Sequence, residues 1–264
     1  MDGYIGFFDI LGYQSFLENS QSEETQGIVL KAIESVRGSV PESIKKFRPN
    51  VPTNIINETQ WLTFSDTIVF AINPNPQVGQ LSADIYAAVA VITAQDLMMR
   101  MFNDGLPLRG ALHRGDYNLL GTSMAGTGVA DAIKAGKNLD LATCVLTDGF
   151  TTEWSISREG MEWWENMWCE YRVPLSGGEW ARRKCLMWFV LNHVENSRMH
   201  VRDLVSSRDY RGYVLRSFWS HNKQIGDAGT VRKLEETERF VRYCIFKREE
   251  LESRRQGQNG IKSG

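Results

Sequence analysis

The sequence predicts an α/β sandwich with mixed strands rather than a doubly wound parallel sheet. A strand-like run from Tyr4 to Ile10 turns at Gly12 into helical spacing. The next β-rich runs, Thr59 to Phe64 and Thr67 to Ile72, are separated only by Ser65-Asp66, a two-residue hairpin turn. A hairpin arriving after a single crossover does not fit an all-parallel sheet, where every connection must itself be a crossover. The later order of helix, strand, glycine loop, helix and strand completes the same two-layer pattern.

Each element has its own local signal. From Ser15 to about Val40, Phe16, Leu17, Ile28, Val29, Ala32, Ile33 and Val36 recur at helical spacing, and the polar Asn19-Ser20-Gln21-Ser22 divides them into two helices. Pro41 opens a weaker stretch through Lys45, Lys46 and Arg48 to Pro49 and Pro52, expected as a loop or short helix. Asn73-Pro74-Asn75-Pro76 breaks the second hairpin strand. Leu81 to Phe102 predicts a long helix in which Met98, Met99 and Met101 fill the core. Asp104-Gly105 ends it, and Leu106 to Gly115 reads as a buried strand. The glycine-rich stretch from Gly121 to Gly128, a helix over Val129 to Lys137 and a strand over Leu141 to Thr147 come next.

The last third is less regular. Runs 169–175 and 184–191 flank Ser176-Gly177-Gly178 and predict a hairpin. Segments 197–222 and 231–252 read as helices, and 253–264 as a disordered tail. Trp154, Trp163, Trp164, Trp168 and Trp180 are expected to pack in a core or a subunit interface rather than to stack bases.

Of the 264 residues, 42% are hydrophobic and 23% charged, with a net charge of −2, the profile of a soluble globular protein without the broad basic footprint of a nucleic-acid binder. No run approaches the ~20 apolar residues of a membrane span, and the apolar opening lacks the basic lead-in of a leader. Cys144, Cys169, Cys185 and Cys244 lie far apart with no CxxC pair, which suggests neither a zinc site nor a disulfide framework and points to a reducing cytoplasm.

The chemistry concentrates in two acids. Asp9 ends an apolar strand just before a helix start, where open amides attract anions while a carboxylate can hold the accompanying cation; capping of that helix is the plainer role for the same residue. Asp66 sits at the hairpin tip. Two acids at adjacent strand ends can share divalent ions, as in two-metal phosphoryl transfer.

These residues also resemble a known family. FFDILGYQSF resembles the FxDIxGFT opening of class III nucleotidyl cyclases, FSDTIVF that family's second metal-binding hairpin, LRGALHRG its RxGIHxG strand, and GTGVADAIK its glycine-led helix. The resemblance covers about residues 4 to 147. It implies a ferredoxin-like palm core, a catalytic domain over 1–195 with a C-terminal helical extension packed on it over 196–252, and a head-to-tail homodimer. The implied reaction cyclises a nucleoside triphosphate to a 3′,5′-cyclic monophosphate and pyrophosphate.

By the same resemblance, Asp9, Asp66 and the Ile10 carbonyl hold two Mg²⁺ or Mn²⁺ ions, Gly12, Tyr13 and Gln14 offer amides to the triphosphate, and Arg109 contacts phosphate. His113 occupies the family's histidine position, where packing is expected. The family's transition-state Asn and Arg fall on Ala130 and Lys134, so the leaving group is left to Lys134 or Arg114, or the chain is a degenerate nucleotide sensor. The base-reading positions fall on Leu62, beside Trp61 and Thr63, and on Ser123, none of which is a purine reader. That combination resembles the pyrimidine cyclases of bacterial Pycsar antiphage systems. It implies UTP as substrate, cyclic UMP as product and a separate effector that responds to it, with a cytidylate or a purine (adenylate or guanylate) cyclase as the alternatives.

Overall fold

The computed structural model describes residues 1–19, 22–47, 51–57, 59–74, 83–121, 123–151, 167–190, 209–223 and 226–261. Its centre is strand β1 (Asp2–Ile10), buried from Gly3 to Ile10 on both faces, which is why the sequence there runs apolar without alternation. Tyr4, Phe8 and Ile10 enter the larger core, and Ile5 and Phe7 a smaller one on the opposite face. Two helices come after it, α1 (Tyr13–Asn19) and α2 (Ser22–Phe47), and then the short α3 (Thr53–Asn57). The expected break at Pro41 does not occur, and α2 runs through it. Proline removes one helical hydrogen bond, but Val36, Val40 and Ile44 continue one buried stripe across it and hold the helix together.

The hairpin is β2 (Gln60–Phe64) and β3 (Thr67–Ile72), with Phe64 opposite Thr67 and Ser65 at φ 53°, which closes the turn. Helix α4 (Ala83–Asn103) and strand β4 (Leu108–Asp116) come next. The sheet order β2-β3-β1-β4, all antiparallel, is the ferredoxin-like order of a βαββαβ unit. Met98, Met99 and Met101 are buried as expected. Contrary to the sequence reading, one described helix, over Ile85–Asn103, is long and apolar enough to cross a bilayer; 89% of that stretch is buried inside the fold, between the sheet and α2.

Strands β5 (Asn118–Leu120) and β6 (Ser123–Ala125) form a small separate hairpin that leads into the glycine-rich stretch. Helix α5 (Thr127–Lys137) then lies across the Ile5 and Phe7 face, burying Val129 and Ala132. It approaches closely because Gly136 meets Gly110: a methyl group on Gly136 would fall 2.6 Å from the Phe7 ring and 3.1 Å from the Gly110 backbone.

The sheet continues through β7 (Cys144–Leu146), parallel to β4, then past α6 (Asp148–Thr151) to the hairpin β8 (Trp168–Pro174) and β9 (Trp180–Leu186). That second hairpin strand begins earlier than expected, because Gly177 at φ 95° and Gly178 at φ 89° tighten the turn and pairing starts at Pro174 opposite Trp180. Trp154, Trp163 and Trp164 lie outside the described residues.

Helices α7 (Tyr210–Trp219) and α8 (Ala228–Ile261) close the chain. Phe240, Val241 and Cys244 of α8 join the main core. Residues 253–261, expected without structure, continue α8, where side-chain bonds such as Glu250 to Arg254 and Ser253 to the Glu249 carbonyl support an apolar-poor helix. The scattered cysteines are all buried and free, and Cys169 stands opposite Cys185 in the second hairpin. Burial pushes the Cys185 and Cys244 thiols well up, which makes them packing groups rather than nucleophiles.

Candidate active site

Asp9 lies at the end of β1 between two central strands, opposite Thr67 of β3 and Arg109 of β4. Strand alternation puts it on the α5 side with Ile5 and Phe7, and the residue is only 4% exposed. A carboxylate buried that deeply needs a counter-charge. Arg109 supplies it: its Nε and Nη2 both donate to Asp9 Oδ2 at 2.8 Å, while Nη1 donates to the Leu139 carbonyl at 3.1 Å. The carboxylate is therefore engaged by arginine rather than by the first turn of α1.

Asp66 reaches the same place through the hairpin. Its main-chain carbonyl accepts from Ile10 N–H at 3.0 Å, so the two acids occupy neighbouring strand ends, and the Asp66 residue is half-buried. Among the described residues, no three His, Cys, Asp or Glu side chains gather into a metal cluster. The donors at hand are two carboxylates and the Ile10 carbonyl. Both Arg109 contacts fall on one Asp9 oxygen, and Oδ1 takes no bond among the described residues. That hard-oxygen set, with positions left for phosphate oxygens and water, fits Mg²⁺ or Mn²⁺.

Beyond Asp9 the chain turns at Leu11 and Gly12. Leu11 N–H donates to the Pro107 carbonyl at 2.8 Å, and the Gly12 carbonyl accepts from Phe16 N–H at 3.0 Å, opening α1 with Tyr13 and Gln14 in its first turn. Gly12 sits at φ +76°, and a methyl group there would meet only Lys223 Cδ at an ordinary 3.7 Å. Gly12→Ala is thus expected to cost about 1 kcal/mol through backbone conformation alone, read by denaturant unfolding.

Lys223 itself carries no sequence signal. It comes after a 3₁₀ turn over Ser220–Asn222, in which His221 has φ 60° and its Nε2 donates to the Asp104 carbonyl. Its own residue is 4% exposed, and Nζ donates to the carbonyls of Gly105 and Ser217. Burial pushes its pKa down to about 7.

The other predicted residues lie elsewhere. Arg114 is further along β4, opposite Tyr4, where it pairs with Asp2 at 2.6 Å; at about 3.3 Å per residue it stands roughly 16 Å along the strand from Arg109, too far to serve its own chain's Asp9. Lys134 is exposed on α5 and lines a separate cavity of about 530 Å³ with Asp131, Thr147, Asp148, Arg182 and Lys184. His113 bonds Thr147 through Nδ1 at 2.8 Å, and burial lowers its pKa. Leu62 is on the α5 face, as Asp9 is, whereas its neighbour Trp61 packs on Phe70 in the opposite core. Ser123 is exposed in the β5–β6 hairpin.

No family model matches the chain, and no curated protein matches it in sequence. Among solved structures it is similar to a bacterial light-regulated adenylyl cyclase, at 11% identity and a TM-score of 0.42 over 78% of this chain and 56% of that one. It therefore spans little more than half the length of that protein. It is also similar to the catalytic core of a rhodopsin-guanylyl cyclase with converted specificity, in complex with ATPαS, at 12% identity and a TM-score of 0.45, covering 70% of this chain and 94% of that one. A guanylyl cyclase is similar at 11% identity and a TM-score of 0.41, covering 70% and 90%.

Proposed function

We propose that this protein is a nucleotidyl cyclase that converts UTP to 3′,5′-cyclic UMP and pyrophosphate, as a cytoplasmic homodimer generating a signal in antiphage defence. The observation that carries the reading is the meeting of Asp9 and Asp66 at neighbouring strand ends beside the Gly12 turn. Asp9, Asp66 and the Ile10 carbonyl would hold Mg²⁺ or Mn²⁺. When bound, such ions lower the pKa of the ribose 3′-hydroxyl and neutralise the triphosphate.

The remaining work falls to the chain. The 3′-oxygen attacks the α-phosphorus and the bond to pyrophosphate breaks, so charge must be met at the leaving phosphates. The amides of Gly12, Tyr13 and Gln14 face that role from the start of α1. Arg109, already beside Asp9, adds a planar donor fork for phosphate. Lys134, exposed on α5, meets the leaving group across a head-to-tail homodimer, and Arg114, committed to Asp2, is the weaker candidate. Leu62 offers a purine edge no hydrogen bond, and the exposed Ser123 offers one hydroxyl, which supports a pyrimidine. A separate effector that responds to the cyclic nucleotide completes the system.

One observation favours a second reading, a nucleotide sensor without turnover: Asp9 is held by Arg109, and Ala130 stands where the resembling family has Asn. Incubating the protein with Mn²⁺ and each of the four ribonucleoside triphosphates separates the possibilities. Cyclic UMP is the expected main product. Cyclic CMP, cyclic AMP or cyclic GMP in its place overturns the base assignment, and nucleotide binding without any cyclic product selects the sensor.

A further inference from the structure

The register that sets Asp9 beside Arg109 continues into the first hairpin. Phe64 stands opposite Thr67, Thr67 opposite Asp9, and Asp9 opposite Arg109, so these four residues form one row across β2, β3, β1 and β4. Residues directly opposite one another in antiparallel strands share a face. Leu62, two positions before Phe64 on the same strand, packs on the α5 side, which places Phe64 on that side by alternation as well. The bond from Ile10 N–H to the Asp66 carbonyl, at 3.0 Å, ties the hairpin tip to the same strand end.

The chemistry changes in order along the row. Arg109 and Asp9 are charged and paired, Thr67 is small and half-buried, and Phe64 is 82% exposed, the most exposed aromatic residue among those described. The core beneath α5 takes Leu62 and Val69 from this hairpin, whereas Phe64 belongs to neither core cluster. A phenyl ring left in water forgoes the stabilisation that burial brings. With strands about 4.8 Å apart, the backbone of Phe64 is about 10 Å from that of Asp9. A nucleotide has the same sequence of groups along its length: charged phosphates with their cation, a small polar sugar, and a base with two flat faces.

We propose that Phe64 is a base-stacking residue, on whose ring the nucleobase of a triphosphate held at Asp9 lies. The placing of the phosphates at Asp9 rests on the cyclase reading. Phe64 contributes affinity rather than choice of base, because every base presents a π-face to an aromatic ring.

The test uses the full chain with Mn²⁺ and titrates three probes by calorimetry. One is inorganic tripolyphosphate, which has no base. The others are the α,β-methylene analogues of UTP and ATP, in which a methylene group replaces the bridging oxygen that would leave with pyrophosphate. Phe64→Ala is expected to weaken binding of both analogues about tenfold, the size of one base–aromatic stack, and to leave tripolyphosphate binding within about twofold of wild type. Phe64→Trp is expected to bind the analogues within about threefold of wild type, whereas Phe64→Leu, apolar but without a π-face, is expected to lose as much as the alanine variant. Wild-type affinity for the analogues in Phe64→Ala or Phe64→Leu overturns the assignment. An equal loss for tripolyphosphate overturns it too, as does a shift from dimer to monomer in sedimentation, which would make Phe64 an interface residue. Should wild type bind the analogues but cyclise no triphosphate, the turnover reading fails while a base-dependent loss in Phe64→Ala still supports Phe64. Should wild type make a cyclic nucleotide while Phe64→Ala binds as wild type does, the stacking assignment fails and the turnover reading stands.

Discussion

Asp9→Asn is expected to lower cyclic nucleotide formation by more than about a hundredfold, the scale on which removing one preorganised electrostatic partner of a transition state is felt. The substitution keeps the size of the side chain and removes the charge that a divalent cation needs. It also leaves the Arg109 guanidinium without its carboxylate, although the Leu139 carbonyl remains to it. Removing one member of so buried a pair is expected to destabilise the fold by about 1–3 kcal/mol. Activity must therefore be compared well below the unfolding midpoint. The second readout is direct: added Mn²⁺ should raise the unfolding midpoint of the wild type and leave that of Asp9→Asn unchanged. Glu34→Gln, on the exposed face of α2, serves as a control expected to behave as wild type. Activity of Asp9→Asn within about threefold of wild type, with the Mn²⁺ response retained, would sink the metal-site assignment.

The second large effect concerns stability against pH at Lys223. An unfolded lysine keeps its proton to about pH 10.4, whereas burial brings the folded Lys223 down to about 7. Between those values the unfolded chain binds more protons than the folded one, so this residue makes stability rise with pH. Below pH 7 both states are protonated and the full burial penalty is present. Lys223→Met abolishes the dependence and leaves the Gly105 and Ser217 carbonyls without their donor. Relative to wild type, the variant is expected to lose stability by about 1.4 kcal/mol per pH unit from pH 7 upward, reaching a few kcal/mol by pH 10. Urea unfolding of both proteins at pH 6, 8 and 10 reads this directly, since the other titrations are common to the pair. A constant difference across that range would mean that the lysine stays charged on its two carbonyls. Because Lys223 underlies the Gly12 turn, the same measurement reports how firmly that turn is held.

Part of the site is legible in the residues themselves. Gly12 announces a turn because a helical pattern begins directly after it, and Asp66 announces itself by standing alone between two β-rich runs. The Asp9–Arg109 pair is not legible, because it joins residues 100 positions apart and an ion pair leaves no periodic mark. The faces of Leu62 and Trp61 are not legible for a related reason: on a strand, neighbouring side chains point to opposite faces, and only the register with Phe70 shows which face each occupies. Pro41 and the stretch 253–261 depart from their local propensity because it is outweighed, by a buried stripe in the first case and by charged pairs one turn apart in the second.

The sequence by itself determined the kinds of element and their order, since apolar spacing and turn residues act within a few positions of one another. It determined, too, that an acid stands at the end of the first strand and another at the tip of the hairpin, because each follows closely on an apolar run. The tertiary structure alone decided that Arg109 pairs with Asp9 and that Lys223 lies under the Gly12 turn. Both reach that end of the sheet only because the register is fixed by burial on both faces and the C-terminal helices pack into the same core. Such long-range placement arises from the sum of many apolar contacts, and no short stretch of residues encodes it.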